Sequence, residues 1–217
     1  MKALQLYQLG EETVADVQES FNNLPHTNHK DGKYRLRRYS AVEMRTTFWN
    51  AKEEVELEKL PHRVFNQSAD LNKHQGGMAR DFQEIEDSVI NSKAMKTICL
   101  ALKNGRNLVG GQEIEIHQLR VLTQQDGTAQ VAPEGVHQDG YDHIAMVGIN
   151  RHNITGGELM AYKTLESKDD PFLTYALEAG EMLLLDDAQF YHWGSPITAK
   201  SKEEAGYGDW FVLCVKK

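Results

Sequence analysis

The residues with the plainest capacity for chemistry are His137 and Asp139, in the run Pro133-Glu134-Gly135-Val136-His137-Gln138-Asp139-Gly140. Alternate residues of an extended chain project to the same side. An imidazole and a carboxylate two positions apart can therefore aim at one point. A third ligand must come from elsewhere, and His192, in Gln189-Phe190-Tyr191-His192-Trp193-Gly194, sits near the end of an expected strand about fifty residues later. Two imidazoles and one carboxylate on one face of an octahedral ion make the facial triad of non-haem iron(II) sites. Three protein ligands leave three positions open, two for a bidentate cosubstrate and one for dioxygen. Catalytic zinc also takes three protein ligands but needs only one open position, so the spacing leaves both metals in play. The rival is a surface histidine in a turn, with Asp139-Gly140 as a hairpin tip.

Other histidines carry less. His26, His29, His62 and His74 lie in polar segments and read as solvated. His117 lies on an expected strand and reads as a pocket or ligand-supporting residue or as plain core; His143 follows the motif closely enough to compete as a ligand. The basic cluster Lys33, Arg35, Arg37 and Arg38 alternates with Tyr34, Leu36 and Tyr39. It reads as one strand at a surface or pocket edge rather than as an anion patch.

These groups need a frame, and the chain changes character along its length. Glu11 to Phe21 carries Val14, Val17 and Phe21 at helical spacing. Ala51 to Leu60 reads as a charged helix that stops before Pro61. Arg80 to Lys103 reads as a long amphipathic helical region broken near Asn91-Ser92, with a turn at Gly76-Gly77 before it. After that come short strands: Glu113 to Leu122, His143 to Ile149, Glu158 to Tyr162, Glu181 to Leu185, Phe190 to Trp193 and Asp209 to Val215. Turn residues separate them, among them Asp126-Gly127, Gly156-Gly157 and Gly180. Serial short strands of this kind suggest an antiparallel sandwich or barrel. No Pro/Gly/Ser-rich linker divides the 217 residues, so the expectation is a single domain over 1–217, with 1–105 as a mixed outer layer and 106–217 as the core that carries the metal site.

The net charge of −8 and the absence of a basic stripe argue against a nucleic-acid partner. Cys99 and Cys214 lie in apolar contexts and read as buried thiols. The N-terminal run lacks the apolar core of a signal peptide, and no apolar run reaches the roughly 18 residues of a membrane span. The expectation is a cytoplasmic protein with a small-molecule substrate and no membrane partner. The oligomeric state is not legible.

Several motifs are familiar, and they occur in order. Glu115-Ile116-His117-Gln118-Leu119-Arg120, Pro133 to Gly140, Ile149-Asn150-Arg151-His152-Asn153-Ile154-Thr155-Gly156-Gly157-Glu158, Leu184-Leu185-Asp186-Asp187 and His192-Trp193-Gly194-Ser195-Pro196-Ile197 resemble the bacterial 2-oxoglutarate-Fe dioxygenase family that includes L-isoleucine 4-hydroxylase. Tyr34 to Ser40, Gly76 to Arg80 and a final strand closing on Val215-Lys216-Lys217 extend the likeness over nearly the whole chain. The resemblance implies an α+β, mainly β fold, a double-stranded β-helix (a jelly-roll, cupin-like barrel) with N-terminal helices packed outside. It implies Fe(II) held by His137, Asp139 and His192, with 2-oxoglutarate and dioxygen as cosubstrates. It implies hydroxylation of a small free L-amino acid such as isoleucine, leucine or methionine.

An amino-acid substrate needs a cation for its carboxylate, and Arg120, Arg151 and the Arg35/Arg37 strand are candidates, each with a structural salt bridge as the alternative. One departure stands out. The resemblance leads one to expect Tyr-Arg-Asp at the start of the last strand, with the Arg on the distal carboxylate of 2-oxoglutarate. The matching run is Tyr207-Gly208-Asp209. Either another cation, Arg120 or Lys200, takes over as the cosubstrate anchor, or the cosubstrate differs or binds weakly, or the protein is a non-catalytic jelly-roll metal binder. If Gly208 marks a lost anchor, Gly208→Arg should tighten 2-oxoglutarate binding; weaker binding would show a pocket rebuilt around another contact.

Overall fold

The computed structural model describes residues 3–49, 52–124, 126–201 and 203–216. In chain order the elements are β1 (Leu4–Gln8), α1 (Glu11–Gln18), β2 (Arg35–Trp49), β3 (Lys52–Lys59), α2 (Asp87–Ile90), α3 (Lys93–Arg106) and β4 (Gln112–Leu122). They continue with β5 (Thr128–Ala129), β6 (His143–His152), β7 (Ile154–Gly156), β8 (Leu159–Tyr162), β9 (Leu173–Tyr175), β10 (Glu181–Asp186), β11 (Tyr191–Gly194), β12 (Ile197–Ala199) and β13 (Tyr207–Val215). A 3-10 turn over Glu19–Asn23 prolongs α1.

The strands make one seven-stranded sheet, in the order β1-β10-β6-β13-β4-β2-β3, and two three-stranded sheets, β11-β8-β9 and β5-β12-β7. All the pairings are antiparallel. The two small sheets pack on one face of the large one: Ile144, Leu183, Leu185 and Cys214 meet Leu159 and Ala161, and Leu119, Val121 and Trp210 meet Ala129, Ile154 and Ile197. The helices cover the other face. There Val14, Val17, Phe21, Met95, Ile98 and Leu102 pack on Ile116, Val147, Leu184, Phe211 and Leu213. The result is the expected jelly-roll with helices outside.

Period-2 alternation sorts each strand of the large sheet between its two faces. On β4, Ile114 and Ile116 face the helices, whereas Leu119 and Val121 face the small sheets. On β2, Leu36, Val42 and Met44 face the helices, and Arg35 and Arg37 line a cavity between the sheets. α3 buries Ala94, Met95, Ile98, Cys99 and Leu102, a stripe at helical spacing, and Ser92 caps it by accepting from the Met95 amide at 3.0 Å. Each large apolar side chain of that stripe contributes about 1.5–3 kcal/mol by leaving water.

Three sequence expectations need correction. Residues 52–59 are strand β3, not helix, and Ala51 lies outside the described residues. The charged Glu54, Glu56 and Glu58 are exposed and Val55 and Leu57 are buried, a period of two that overrides the helix propensity of Glu and Lys. The helical region expected from Arg80 begins only at Asp87; Arg80 instead pairs by backbone with Phe65, at 2.9 Å in both directions. The break at Asn91-Ser92 is present between α2 and α3. Thirdly, the first 105 residues supply β1, β2 and β3 to the large sheet itself, beyond an outer layer. Of the expected closing run, Lys217 lies outside the described residues. Cys99 and Cys214 are buried free thiols.

Candidate metal centre and its cavity

The structure brings His137, Asp139 and His192 together. His137 and His192 face each other across two short chain segments, exchanging backbone hydrogen bonds of 3.0 and 2.8 Å. Directly opposed residues carry their side chains on the same face, and the two rings stand 4.4 Å apart. Two residues beyond His137, Asp139 turns its carboxylate to both: Oδ1 is 3.4 Å from His137 Nε2 and Oδ2 is 3.5 Å from His192 Nε2. One ligand atom from each residue lies within 4.8 Å of the others. His143, the competing ligand, starts β6 and is not drawn into this group.

The surroundings prepare the donors. His137 Nδ1 stands 2.8 Å from the Gly135 carbonyl, which fixes the proton there and leaves the Nε2 lone pair for a metal. Asp187 is fully buried, and its carboxylate accepts from the backbone N–H of Asp139, Gly140 and Tyr141 at 3.1, 2.8 and 3.0 Å. The same carboxylate stands 3.4 Å from His192 Nδ1. One side chain thus braces the Asp139 loop and the His192 ring together. Gln67 donates to Asp139 Oδ1 at 3.0 Å.

Burial by itself would raise the Asp139 pKa, but the two imidazoles outweigh it and hold the carboxyl well below its ordinary range. Burial would lower His192, but Asp139 and Asp187 together push it up to about 10. Two imidazole nitrogens and an ionised carboxylate, oriented from behind and convergent in front, are a donor set that fits a divalent metal of the iron type.

A cavity of about 110 Å³ opens in front of the three groups. Leu119, Met146, Leu159, Leu177, Trp210 and Val212 give it an apolar wall, and Arg35, Arg37 and Glu134 supply charge. A second chamber of about 40 Å³ lies against Asp139 and is lined by Arg35, Arg37, Arg80, Gln67, His117 and Tyr141 among others. His117 therefore does lie beside the site. Burial, then the field of Arg37, drives its pKa well below the usual value, so the imidazole is neutral.

The arginines divide sharply. Arg120, the expected cosubstrate anchor, is on the wrong face of the sheet. Its neighbour Leu119 lines the cavity, so alternation sends Arg120 toward the helices. There it grips Asp209 bidentately at 2.6 and 2.7 Å, donates to Asn22 at 3.0 Å and covers the Tyr207 ring at 4.1 Å. Lys200 is exposed and does not line the cavity. Arg37, by contrast, lines the cavity and makes no hydrogen bond or ion pair among the described residues; its guanidinium rests against Phe65 and Phe82 at 5.6 and 5.3 Å. Burial, followed by the repulsion of Arg35 and Arg80, disfavours its charged form.

Gly208 faces the cavity side, like Trp210 two residues on. The Trp210 indole folds back over it, so a Cβ at 208 would come within 2.0 Å of the ring. An arginine at 208 therefore fits only if the indole moves, and the tightening expected of Gly208→Arg is withdrawn. Sequence reasoning also missed the brace Asp187, noticed only as part of a familiar run. Its signal is the acidic pair Asp186-Asp187 that follows the apolar run Met182–Leu185, where a strand leaves the core.

No curated protein sequence matches the chain significantly. Among solved structures, a bsmA homolog from Methylobium petroleophilum PM1 superposes with a TM-score of 0.76 at 26% identity, over 99% of this chain and 88% of that one. IDO from Bacillus thuringiensis superposes at 0.74 and 14% identity, over 100% and 91%. The Fe(II)/α-ketoglutarate-dependent dioxygenase TqaL superposes at 0.71 and 13%, over 100% and 83%. These last two likenesses establish the fold alone. The model of the 2OG-Fe dioxygenase family matches residues 18–214, nearly the whole chain. The protein belongs to the 2OG-Fe dioxygenase family, and with it goes an enzyme that uses Fe(II), 2-oxoglutarate and dioxygen.

Proposed function

We propose that His137, Asp139 and His192 are the iron ligands and that the enzyme hydroxylates a small free L-amino acid of the isoleucine, leucine or methionine type. The observation that carries this reading is the cavity in front of the three groups, which sets Arg37, without a polar partner among the described residues, and Arg35, ion-paired to Asp31 at 3.6 Å, beside an apolar wall. When bound, Fe(II) supplies the redox chemistry by which 2-oxoglutarate and dioxygen yield succinate and carbon dioxide while one oxygen atom enters a C–H bond.

The chain's share is placement. Arg37 and Arg35 offer guanidinium donors to the substrate carboxylate, a pairing that is bidentate and charge-assisted. Glu134 Oε1, 3.5 Å from His137 Nε2, offers a carboxylate to the substrate ammonium. Leu119, Met146 and Val212 then hold the aliphatic part and keep water away from it. The apolar wall beside charged groups suits a small amino acid. No helix among the described residues is long and apolar enough to cross a membrane, and we infer a cytoplasmic setting in which free amino acids are at hand.

Two measurements test the reading. Anaerobic Fe(II) and 2-oxoglutarate should together give the visible charge-transfer band of the chelate, and His137→Ala should remove it with the iron. Succinate release should then rise on adding one of the twenty amino acids. If the band forms and no free amino acid raises succinate release, the substrate class is wrong while the iron assignment stands.

A further inference from the structure

A dicarboxylate cosubstrate presents one carboxylate to the metal and must find a counter-charge for the other. Most of the cavity wall is apolar, and an unpaired carboxylate there would be costly. Arg35 and Arg37 stand beside Asp139 and Glu134, at the metal end. A second cation is needed within reach of the rest of the wall, to which Gly157, Leu177 and Trp210 belong.

Arg151 is placed there. On β6 it is the direct cross-strand partner of Gly208 and shares its face of the sheet. The register between the two strands shifts by one at Asp209/Trp210, where Ile149 of β6 has no partner. The Arg151 guanidinium is only partly satisfied. Nη2 donates to the Gly156 carbonyl at 2.7 Å, and Nε is 3.3 Å from Glu178, whose side chain is 66% exposed. Nη1 is buried and has no partner among the described residues. It lies 3.4 Å from the point where a Cβ on Gly157 would stand, and the Trp210 ring lies 3.3 Å from that same point. Gly157 and Trp210 both line the cavity. Arg151 itself is not part of the lining; its buried, unsatisfied Nη1 stands directly behind Gly157, with no side chain at 157 to separate it from the cavity.

We propose that Arg151, reaching past Gly157 and Trp210, is the anchor for the distal carboxylate of 2-oxoglutarate. The neighbouring strand thereby supplies the cation that position 208 lacks. Gly208, Trp210 and Arg151 form one arrangement, in which the indole takes the room a side chain at 208 would need and the charge comes from across the strand pair. This rests on the family's cosubstrate and is independent of which substrate is hydroxylated.

The test uses Fe(II)-loaded protein without oxygen. It titrates 2-oxoglutarate against 2-oxopentanoate, which has the same 2-oxo acid head and no distal carboxylate, following the charge-transfer band. Arg151→Gln should weaken 2-oxoglutarate by about 10- to 100-fold, the size of a lost bond to a charged group. It should leave 2-oxopentanoate within about twofold, and Arg151→Lys should recover part of the loss. In the unmodified protein, 2-oxoglutarate should bind more tightly than 2-oxopentanoate, a comparison that needs no variant to fold. Equal affinity for the two acids, equal weakening of both by Arg151→Gln, or the selective loss appearing in Arg37→Gln instead, would each overturn the proposal. Absence of the band in the unmodified, iron-bearing protein would overturn it together with the cosubstrate, and iron stoichiometry reports the metal ligands separately.

Discussion

The two faces of the seven-stranded sheet treat buried polar groups in opposite ways. On the helix side the charged pair is closed on itself: Arg120 is saturated by Asp209 and Asn22, while the neutral Gln118 donates to Ser20 at 2.8 Å and leaves only its Oε1 without a partner among the described residues. On the cavity side such groups are left open. Among the described residues Arg37 has no polar partner and Arg151 keeps a buried N–H unused, and His137, Asp139 and His192 converge on a common point. Buried groups that are satisfied hold a fold together; groups left unsatisfied at a cost are retained where something else completes them. The difference separates structural from ligand-binding residues in a chain where both kinds are arginine.

The contrast is sharpest at the metal. Removing either histidine, in His137→Ala or His192→Ala, should abolish stoichiometric Fe(II) binding while the circular dichroism spectrum is kept; full iron occupancy in both variants would erase the special status of the cavity face. The helix face should respond in stability instead. Arg120→Ala strands the fully buried Asp209 and should cost about 3–5 kcal/mol in denaturant unfolding, with no selective loss of 2-oxoglutarate over 2-oxopentanoate. A selective loss would return Arg120 to the site.

Asp187→Asn removes the charge that braces both the Asp139 loop and His192. Iron affinity should fall about 10- to 100-fold by chelator competition, and a fall below twofold would make the brace incidental. The next effect is in pH. His192 is held protonated up to about 10 by its two carboxylates, against the pull of burial. A metal must displace that proton, so affinity rises with pH until the ring is neutral without it. Between pH 8 and 6 it should fall by about tenfold per unit, and a flat profile would show that the ring is already neutral. The smallest effect should be the stability change in Arg37→Met. Replacing an unpaired buried cation by an apolar chain should leave unfolding free energy within about 1 kcal/mol or raise it. A loss of several kcal/mol would mean that Arg37 is structural like Arg120.

Much of the site was legible in the sequence because a strand repeats every two residues. The spacing of two put His137 and Asp139 on one side, although only His137 pairs, in an isolated bridge, and Asp139 sits on a loop braced by Asp187; the serial short strands announced a sandwich or barrel, and the family resemblance the jelly-roll. The same period was available in Glu54-Val55-Glu56-Leu57-Glu58, where helix-forming residue types hid a strand. Parity along Leu119-Arg120 was equally open to use. It could not say which parity faces the cavity, since both faces of β4 are buried.

The sequence by itself determined the residue types, the two-residue spacing of the metal motif and the missing cation at 208. Tertiary structure decided which histidine joins that motif, because His192 reaches it only through a backbone pairing across about fifty residues. It also decided which arginines are spoken for. Whether a guanidinium is satisfied depends on what the neighbouring strand and the opposite layer bring within hydrogen-bond distance, and no local pattern in the chain encodes that.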